Sequence, residues 1–451
     1  MEKFDLIIIG AGPGGYETAL RAAARGLKTV LFNGTQLGGT CLNEGCIPTK
    51  CMVRDAAVVS ECRRAPEFGV QEIKWDVDFN KVVTRREAVV SQLRDGVAGM
   101  LARAGVTVVN AMARFKDEFT VVADGVEYNA EHIVIATGSK SKALPIPNAD
   151  AEWVLDSSKI LKLEYIPAQL VVVGGGVIGL EFASVFNAFG SEVTVIEFMK
   201  NILPPFDSDI SKRLKQTLQK RGVKILTGAA VKKVEQIYDY KIQTTYELKG
   251  KEETVISSDL LMAVGRCPNV EGLNLEAAGV EYSPKGIPVD ENMRTNVDHI
   301  YAIGDVNARM MLAHVATFQG IRALNSIQGK ADDINLDVVP SAVFTDPECA
   351  MAGMTEDEAK AAGINVKCGK SFYRANGKAL AMGESDGLVK LVFDADTDVL
   401  VGAHIMGADA ALLAQQCADF ITLRATRTRI CQTVFGHPTL SELILAAAES
   451  V

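Results

Sequence analysis

Two segments of this chain repeat one design, in which an apolar strand, a glycine-rich turn, a helix and a second strand follow one another. The first is DLIIIGAGPGGYETALRAAARGLKTVLF and the second is QLVVVGGGVIGLEFASVFNAFGSEVTVIE. Both contain the spacing G-x-G-x-x-G, formed by Gly10, Gly12 and Gly15 and by Gly174, Gly176 and Gly179. Directly after a buried strand and at the start of a helix, this spacing is the fingerprint of a dinucleotide-binding βαβ unit. Two units predict two bound dinucleotides.

The residue that ends the second strand of each unit differs between them. The first glycine of a fingerprint makes the tight turn, the second lets a pyrophosphate approach the positive end of the helix, and the third lets helix and strand pack closely. In the second unit Glu197 can accept from both ribose hydroxyls and repels a 2′-phosphate, which favours NAD over NADP although Lys200 lies nearby. In the first unit Asn33 can still bind a ribose, but without a carboxylate's charge.

Two of the nine cysteines, Cys41 and Cys46, stand five positions apart in GGTCLNEGCIPTK. Five residues of regular helix rise about 7.5 Å, more than the roughly 4.4–6.8 Å between Cα atoms that a disulfide allows. A bond between them therefore requires a distorted turn, which Gly45 permits. Such a short loop stabilises the fold little, so redox chemistry is favoured over half of a zinc site, and no metal is expected. The other seven cysteines are interpreted as buried apolar residues.

Length, charge and hydropathy indicate the number of domains, the kinds of partner and the location to expect. A chain of 451 residues exceeds one hydrophobic core, so several domains are expected. The net charge of -9 argues against a nucleic-acid partner. The apolar run Leu6–Ile9 is too short for a signal segment, and no apolar stretch is long enough to span a membrane. The protein is therefore expected in the cytoplasm. Residues 387–407 predict two alternating strands, with a helix after them from Ala408 to about Arg424.

Six motifs in one order carry a resemblance to a known family. They are the two fingerprints, GGTCLNEGCIPTK, ATGS (136–139), AIGD (302–305) and HPTLSE (437–442), so the chain resembles the pyridine nucleotide–disulfide oxidoreductases over its whole length. The similarity is greatest to the members that oxidise dihydrolipoamide. It implies an α/β fold with two Rossmann-like dinucleotide-binding domains and a C-terminal α+β interface (dimerisation) domain. The implied boundaries are 1–144 for FAD binding, 145–264 for NAD binding, 265–335 for a return to the FAD or central domain, and 336–451 for the interface.

The resemblance also implies roles for the reactive side chains. Cys41 would be attacked by the substrate thiolate, and Cys46 would lie against the flavin. Lys50 would face the reactive flavin nitrogen and form an ion pair with Glu181. His437 would accept the thiol proton, with Glu442 fixing the imidazole tautomer. In the family the His–Glu pair comes from the other subunit, so a homodimer is expected, with lipoyl-bearing protein domains as partners.

The same resemblance assigns the cofactor contacts. The residues expected at FAD are Gly10, Gly12, Gly15, Asn33, Gly39, Thr40, Lys50, Ala113, Thr137, Gly138, Asp305 and Ala313. The residues expected at NAD are Gly174, Gly176, Ile178, Gly179, Glu181, Glu197, Val231 and Gly265. His314 adjoins the flavin-side segment, whereas His132, His299 and His404 match no motif and are expected to be structural.

Two alternatives stay open. One is another FAD-dependent NAD(P)H:disulfide reductase of the same family. The NADP-dependent members would have arginines after the second-unit strand, where this chain has Glu197, Phe198 and Met199. Members with an added C-terminal cysteine pair, or with a single active cysteine, also differ from this chain. The other alternative is a non-catalytic flavin-binding regulator that keeps the fold without turnover.

Overall fold

The first glycine turn lies at the centre of the first sheet. The computed structural model describes residues 2–451. The strands of its first part are β1 (Glu2–Ile9), β2 (Thr29–Phe32), β3 (Thr107–Val109), β4 (Arg114–Phe115), β5 (Thr120–Ala123), β6 (Val126–Ile135) and β7 (Ser139–Ser141). The helices are α1 (Pro13–Ala24), α2 (Gly39–Glu44), α3 (Cys46–Arg64) and α4 (Phe79–Arg103), with a 3-10 turn at Ala65–Phe68.

This sheet has the order β3-β2-β1-β6-β5-β4. Strands β3, β2, β1 and β6 are parallel, and β5 and β4 continue antiparallel. Strand β1 is central because its apolar run is covered on both faces, with Leu6, Ile7 and Ile8 fully buried. The carboxyl end of β1 therefore opens directly into the glycine turn and α1.

The second glycine turn has a smaller parallel sheet of its own. The strands of this part are β8 (Gln169–Val173), β9 (Glu192–Glu197), β10 (Lys224–Thr227), β11 (Ala229–Gln236), β12 (Ile242–Leu248), β13 (Lys251–Ser257), β14 (Asp259–Met262) and β15 (Arg266–Pro268). Its helices are α5 (Val177–Phe189) and α6 (Ser208–Lys220), with 3-10 turns at Ile160–Lys162 and Tyr238–Tyr240. The parallel order is β10-β9-β8-β14, and β11-β12-β13 form an antiparallel sheet beside it.

The chain then returns to the first sheet. Strand β15 pairs antiparallel with β7, which joins the two regions. A 3-10 turn at Leu275–Ala278 is followed by β16 (Ile300–Ala302). A second 3-10 turn at Gly304–Asn307 then leads to α7 (Ala313–Ile327). Strand β16 lies parallel to β6, so the first sheet is completed by residues far along the chain.

The last part of the chain is an antiparallel sheet with helices against it. Its strands are β17 (Ser341–Val343), β18 (Cys349–Gly353), β19 (Val366–Phe372), β20 (Leu388–Asp394) and β21 (Leu400–Met406). Its helices are α8 (Glu356–Ala361), α9 (Gly377–Ala381), α10 (Ala410–Thr422), α11 (Arg427–Cys431) and α12 (Glu442–Glu449), with a 3-10 turn at Tyr373–Ala375. The strand order is β17-β18-β21-β20-β19. The predicted fold class, two Rossmann-like units with a C-terminal α+β part, is confirmed.

The two strands predicted in residues 387–407 are present, but their exposure does not alternate. All of β20 is buried except its last residue. Val389, Leu391 and Phe393 face the core of the last sheet. From the opposite face, Lys390 donates to Asp207 and Asp209 at the start of α6. Both faces are therefore covered, because the second unit packs on the side that the sequence pattern assigns to solvent. Among residues 2–451, no helix has the length and apolar composition needed to cross a bilayer.

Candidate active site

The two cysteines of the motif are joined across a break between two helices. Helix α2 ends at Glu44 and α3 begins at Cys46, with Gly45 between them at φ -147° and ψ -110°. The Cα atoms of Cys41 and Cys46 lie 4.7 Å apart, and their Sγ atoms form a disulfide. The turn that the spacing requires is therefore present. Within residues 2–451 the seven other cysteines are free thiols.

The first glycine turn holds the cysteine segment close. Gly10 has φ +110°, and a Cβ there would lie 2.3 Å from the Ala136 carbonyl oxygen. A Cβ on Gly39, at the start of α2, would lie 2.6 Å from the Gly12 Cα. Gly12 is the N-cap of α1, so amide N–H groups of the first turn of α1 have no helical acceptor and can receive an anion. The disulfide and this anion-binding turn are thus neighbours.

Asn33 ends β2 and carries an unsatisfied acceptor. Its backbone N–H donates to the Val109 carbonyl, and its side-chain Nδ2 donates to Asn110 Oδ1 at 2.8 Å. Asn33 is buried, and its Oδ1 has no hydrogen-bond partner among the described residues. A buried acceptor without a donor is costly, and a ribose hydroxyl would supply that donor. The site therefore fits the dinucleotide expected there.

A second group of predicted FAD residues lies at the carboxyl ends of β6 and β16. The Ser139 hydroxyl donates to Asp305 Oδ2 and accepts from Arg266 Nε at 2.7 Å. Thr137 Oγ1 donates to the Asn269 carbonyl at 2.7 Å. The Asp305 carboxylate thus accepts a side-chain hydrogen bond at Oδ2 only, so Oδ1 can accept from a sugar hydroxyl.

For the remaining predicted FAD residues, the structure gives backbone conformation and position in the fold rather than side-chain hydrogen bonds. Gly138 has φ +71°, Ala313 begins α7, and Ala113 is buried beside the first sheet. Gly15 lies so close to the Gly10 carbonyl that a Cβ would be 1.8 Å from its oxygen. Thr40 lies in the first turn of α2, next to Gly39. His314 follows Ala313, and burial lowers its pKa while a bond to the Pro340 backbone opposes that shift.

The second glycine turn opens into a cavity of about 670 Å³. Gly174 has φ +112°, and a Cβ on Gly176 would meet no atom within 4 Å. Six of the eight predicted NAD residues line this cavity: Gly174, Gly176, Ile178, Glu197, Val231 and Gly265. Gly179 instead packs against the Gly174 carbonyl, and Glu181 lies in α5 facing away from it toward Lys50. Phe198 and Met199, which the sequence did not single out for binding, also line the cavity.

Glu197 is held at the edge of this cavity by two backbone donors. Its Oε2 accepts from the Gly175 N–H and its Oε1 from the Met199 N–H. The residue is 8% exposed. A buried carboxylate fixed by two donors keeps its remaining lone pairs in one direction, as recognition of a ribose diol requires.

Lys50 and Glu181 form the ion pair that the resemblance predicts. Lys50 Nζ lies 2.9 Å from both Glu181 carboxylate oxygens. The Glu181 side chain is 5% exposed and that of Lys50 is 34% exposed. The Phe344 N–H donates to Glu181 Oε1 at 2.9 Å, and Lys50 Nζ lies 4.6 Å from the centre of the Phe344 ring. Sequence reasoning missed Phe344, because an isolated phenylalanine carries no signal.

His437 and Glu442 also form a pair, on the surface of the last region. His437 Nδ1 lies 3.0 Å from Glu442 Oε1, and the Thr439 N–H donates to Glu442 Oε2 at 2.9 Å. These bonds, first the Thr439 N–H and then the imidazole, lower the Glu442 carboxyl pKa. The His437 side chain is 80% exposed. Within the described part of one chain, Glu442 is the only hydrogen-bond partner of this ring, and no hydrogen bond joins the pair to Cys41 or Cys46.

Known proteins similar to this chain belong to the class that the site indicates, oxidoreductases with a reactive disulfide and bound dinucleotides. Residues 4–320 match the pyridine nucleotide-disulphide oxidoreductase family, and residues 339–448 match its dimerisation domain. The chain belongs to this family. It is similar to the dihydrolipoyl dehydrogenase of Thermus scotoductus, with 40% identity over 455 residues that cover 100% of this chain and 98% of the relative. A dihydrolipoyl dehydrogenase of Bacillus subtilis is 39% identical over 463 residues, which cover 99% of this chain and 97% of the relative.

The fold is also close to that of a solved relative. The HOCl-induced flavoprotein disulfide reductase RclA from Escherichia coli superimposes with a TM-score of 0.88 at 28% identity, covering 99% of this chain and 100% of the relative. The chain is therefore an oxidoreductase of the flavoprotein disulfide class, with FAD and NAD as its cofactors. Among residues 2–451, no three His, Cys, Asp or Glu side chains are grouped as metal ligands would be.

Proposed function

We propose that the chain is a dihydrolipoyl dehydrogenase, which oxidises the dihydrolipoamide of lipoyl-bearing protein domains and reduces NAD to NADH. The observation that carries this proposal is the Cys41–Cys46 disulfide beside the first glycine turn. The orientation of the exposed His437 by Glu442 supplies the base that such chemistry needs. The identity of about 40% to dihydrolipoyl dehydrogenases over the full chain supports the same substrate class.

The thiol steps follow from these residues. His437 takes the proton from one thiol of dihydrolipoamide, whose ordinary pKa near 8.5 leaves little thiolate at neutral pH. That thiolate attacks Cys41 Sγ, which breaks the disulfide and releases Cys46 as a thiolate. The second substrate thiol attacks the substrate sulfur bonded to Cys41, and its proton passes to the Cys41 thiolate that this attack releases. Lipoamide thus leaves as a disulfide and both cysteines are reduced. Bound FAD and NAD would then supply the transfer of that electron pair from the cysteines to the nicotinamide.

The residues proposed to hold FAD surround the first glycine turn. The N–H groups at the start of α1 would receive the pyrophosphate, and Asn33 Oδ1 would accept from the ribose. Asp305, fixed by Ser139, would accept from the ribityl chain. Thr40, Thr137, Gly138, Ala113 and Ala313 would provide contacts along the cofactor, and Lys50 would lie at the flavin.

The proposed NAD site is the cavity at the second glycine turn. The N–H groups at the start of α5 would receive the pyrophosphate, and Glu197 would accept from the ribose hydroxyls. Because Glu197 is buried and fixed, a 2′-phosphate would meet a carboxylate that cannot turn away. NAD is therefore the proposed partner rather than NADP.

We propose further that the working enzyme is a homodimer with shared active sites. The dimerisation domain supports association. The His437 side chain is 80% exposed and its ring bonds only to Glu442 among the described residues, so a partner subunit could bring the disulfide of the other chain to it. The domain division proposed from the sequence, 1–144, 145–264, 265–335 and 336–451, is kept, with the disulfide in the first and His437 in the last.

A cytoplasmic location is also proposed. The seven free cysteines are consistent with a reducing compartment, since thiols in secreted proteins are commonly paired. A location there would place the enzyme with the lipoyl-bearing complexes that it would serve.

An anaerobic assay tests the substrate and cofactor together. The purified FAD-loaded enzyme should reduce NAD with dihydrolipoamide and reduce NADP far more slowly. The Cys46→Ser variant should retain FAD, yet lose turnover and the long-wavelength absorbance that a thiolate beside the flavin gives on reduction. Preference for NADP and another disulfide would favour a different reductase of the family. A wild-type protein that retains FAD but reduces neither nucleotide would favour the non-catalytic regulator.

A further inference from the structure

Phe344 occupies the point where three separate regions of the chain meet. It follows β17 of the last region, while Lys50 lies in α3 and Glu181 in α5. Its backbone N–H donates to Glu181 Oε1 at 2.9 Å, and its ring centre lies 4.6 Å from Lys50 Nζ. One residue thus contacts both members of the ion pair.

These contacts leave the ammonium little freedom. Lys50 Nζ is bonded to both oxygens of Glu181 on one side and faces the phenylalanine ring on another. The Glu181 side chain is 5% exposed, so its carboxylate depends on the Lys50 and Phe344 donors in place of water. An ammonium over an aromatic face is attracted by the ring quadrupole, and more strongly where water is reduced.

Hydrogen bonds to the backbone around Phe344, and not only the packing of its side chain, fix the position of the ring. Two residues after Phe344, the Asp346 N–H donates to Ser184 Oγ at 3.1 Å. Glu181 and Ser184 are neighbours on one face of α5. Arg221 also donates to the Asp346 carbonyl at 2.7 Å. The segment from 344 to 346 is therefore fastened to α5 at two points and to Arg221, directly after α6, at a third, which fixes where the Phe344 side chain begins.

We propose that Phe344 is a positioning residue that holds the Lys50 ammonium toward the flavin. The inference rests on the proposed function, in which Lys50 would lie at the flavin, and an ammonium there would stabilise the negative charge of the reduced ring. Phe344 lies in the segment that matches the dimerisation domain. That domain then acts on the redox centre of its own chain, in addition to providing His437.

The flavin reduction equilibrium reports the position of the ammonium directly. We would measure it in purified FAD-loaded protein by anaerobic titration against a reference dye. Phe344→Leu keeps the backbone N–H and an apolar side chain but removes the ring, and should make flavin reduction less favourable by about threefold to thirtyfold, the range of a cation–π contact. Phe344→Trp keeps an aromatic face and should keep the parent equilibrium.

Phe372→Leu provides a matched control. Phe372 is also in the last region and also has a cation over its ring, Arg374 at 4.8 Å. It has no contact with Lys50 among the described cation–π pairs. The same substitution there should leave the flavin equilibrium unchanged, although it removes a similar contact.

A Lys50→Met background separates the inference from the proposed function. If Lys50→Met shifts the equilibrium and Phe344→Leu adds nothing to it, the effect of the ring passes through the ammonium, as proposed. If Lys50→Met shifts the equilibrium but Phe344→Leu alone does not, or if Phe344→Leu has the same effect in both backgrounds, the positioning role is overturned and the proposed function stands. If Lys50→Met causes no shift, Lys50 does not act on the flavin, and both the positioning role and that part of the proposed function fail.

Discussion

The two glycine turns of this chain have nearly the same backbone. Gly10 and Gly174 have φ values of +110° and +112°. A Cβ on either would lie 2.3 Å from a carbonyl oxygen of the neighbouring strand end, Ala136 in the first and Ala263 in the second. Each turn ends in a helix whose N-cap is a glycine. The part of the site that receives a pyrophosphate is therefore built in the same way twice.

The two turns differ at the end of the next strand. Asn33 is neutral. Its Nδ2 donates to Asn110 Oδ1, and its own Oδ1 has no hydrogen-bond partner among the described residues. Glu197 is charged, and both its oxygens accept from backbone N–H groups. Glycine geometry therefore decides whether a dinucleotide can approach, whereas the strand-end residue decides how its ribose is held.

Alanine at the first glycine of each turn tests whether the two sites are independent. Gly10→Ala and Gly174→Ala should each cost on the order of 1–3 kcal/mol in backbone strain, with a further clash against the carbonyl oxygen. We expect Gly10→Ala to prevent FAD retention, and Gly174→Ala to keep FAD but lose NAD reduction. Absorbance of bound flavin and an NAD titration distinguish these outcomes.

Gly176→Ala is the control for the second turn, since a Cβ there meets no atom within 4 Å. It should leave the thermal unfolding temperature unchanged and weaken only NAD binding, because the added methyl faces the proposed pyrophosphate site. Loss of FAD from the Gly174→Ala protein would contradict the independence of the two turns.

A neutral residue at the second turn should weaken the NAD site. In Glu197→Gln one amide nitrogen faces a backbone donor, Gly175 or Met199, and leaves a buried N–H unpaired at a cost of about 1–3 kcal/mol. We expect KM for NAD to rise about tenfold or more, with FAD content unchanged. Glu192→Gln, at the exposed start of the same strand, is the matched control. Equal KM values for the two variants would show that Glu197 does not bind the ribose.

A charged residue at the first turn should have a smaller effect of the opposite sign. Asn33→Asp is nearly isosteric and can accept from Asn110 once that amide turns its Nδ2 toward the new carboxylate. It offers the ribose a charge-assisted bond that is roughly twice as strong as a neutral one. We expect FAD to dissociate about threefold to tenfold more slowly, measured by the flavin fluorescence released on dilution. Asn80→Asp on α4, an exposed position, controls for the change in net charge. Faster release from Asn33→Asp would mean that Asn33 does not face the ribose.

The features that could be predicted were those with a fixed spacing. The glycine turns and the helix break at Gly45 each depend on residues close together in the sequence, and the pairing of His437 with Glu442 was implied by the family resemblance. The Lys50–Glu181 pair joins residues 131 positions apart, and only the family resemblance indicated it.

The features that could not be predicted join distant segments through ordinary residue types. Phe344 bonds to Glu181, Arg266 to Ser139, and Asn33 to Asn110. Phe344, Arg266 and Asn110 belong to no motif. The burial of β20 on both faces has the same cause, because the sequence pattern of one strand does not reveal that another domain covers it. Tertiary packing, rather than local preference, decides such contacts.

In the proposed enzyme the disulfide of one subunit and the His–Glu pair of the other form a shared active site, which is complete only in a dimer. This sharing is tested by dissociating inactive Cys41→Ser and His437→Ala proteins and re-associating them in equal amounts. Half the dimers are then hybrids, and each hybrid has one site with both residues intact, so about a quarter of wild-type activity should return. Loss of a general base lowers the rate on the order of 10²–10⁴-fold, so the parents would not mask this recovery. A mixture that stays as inactive as its parents, despite verified subunit exchange, would contradict the shared site.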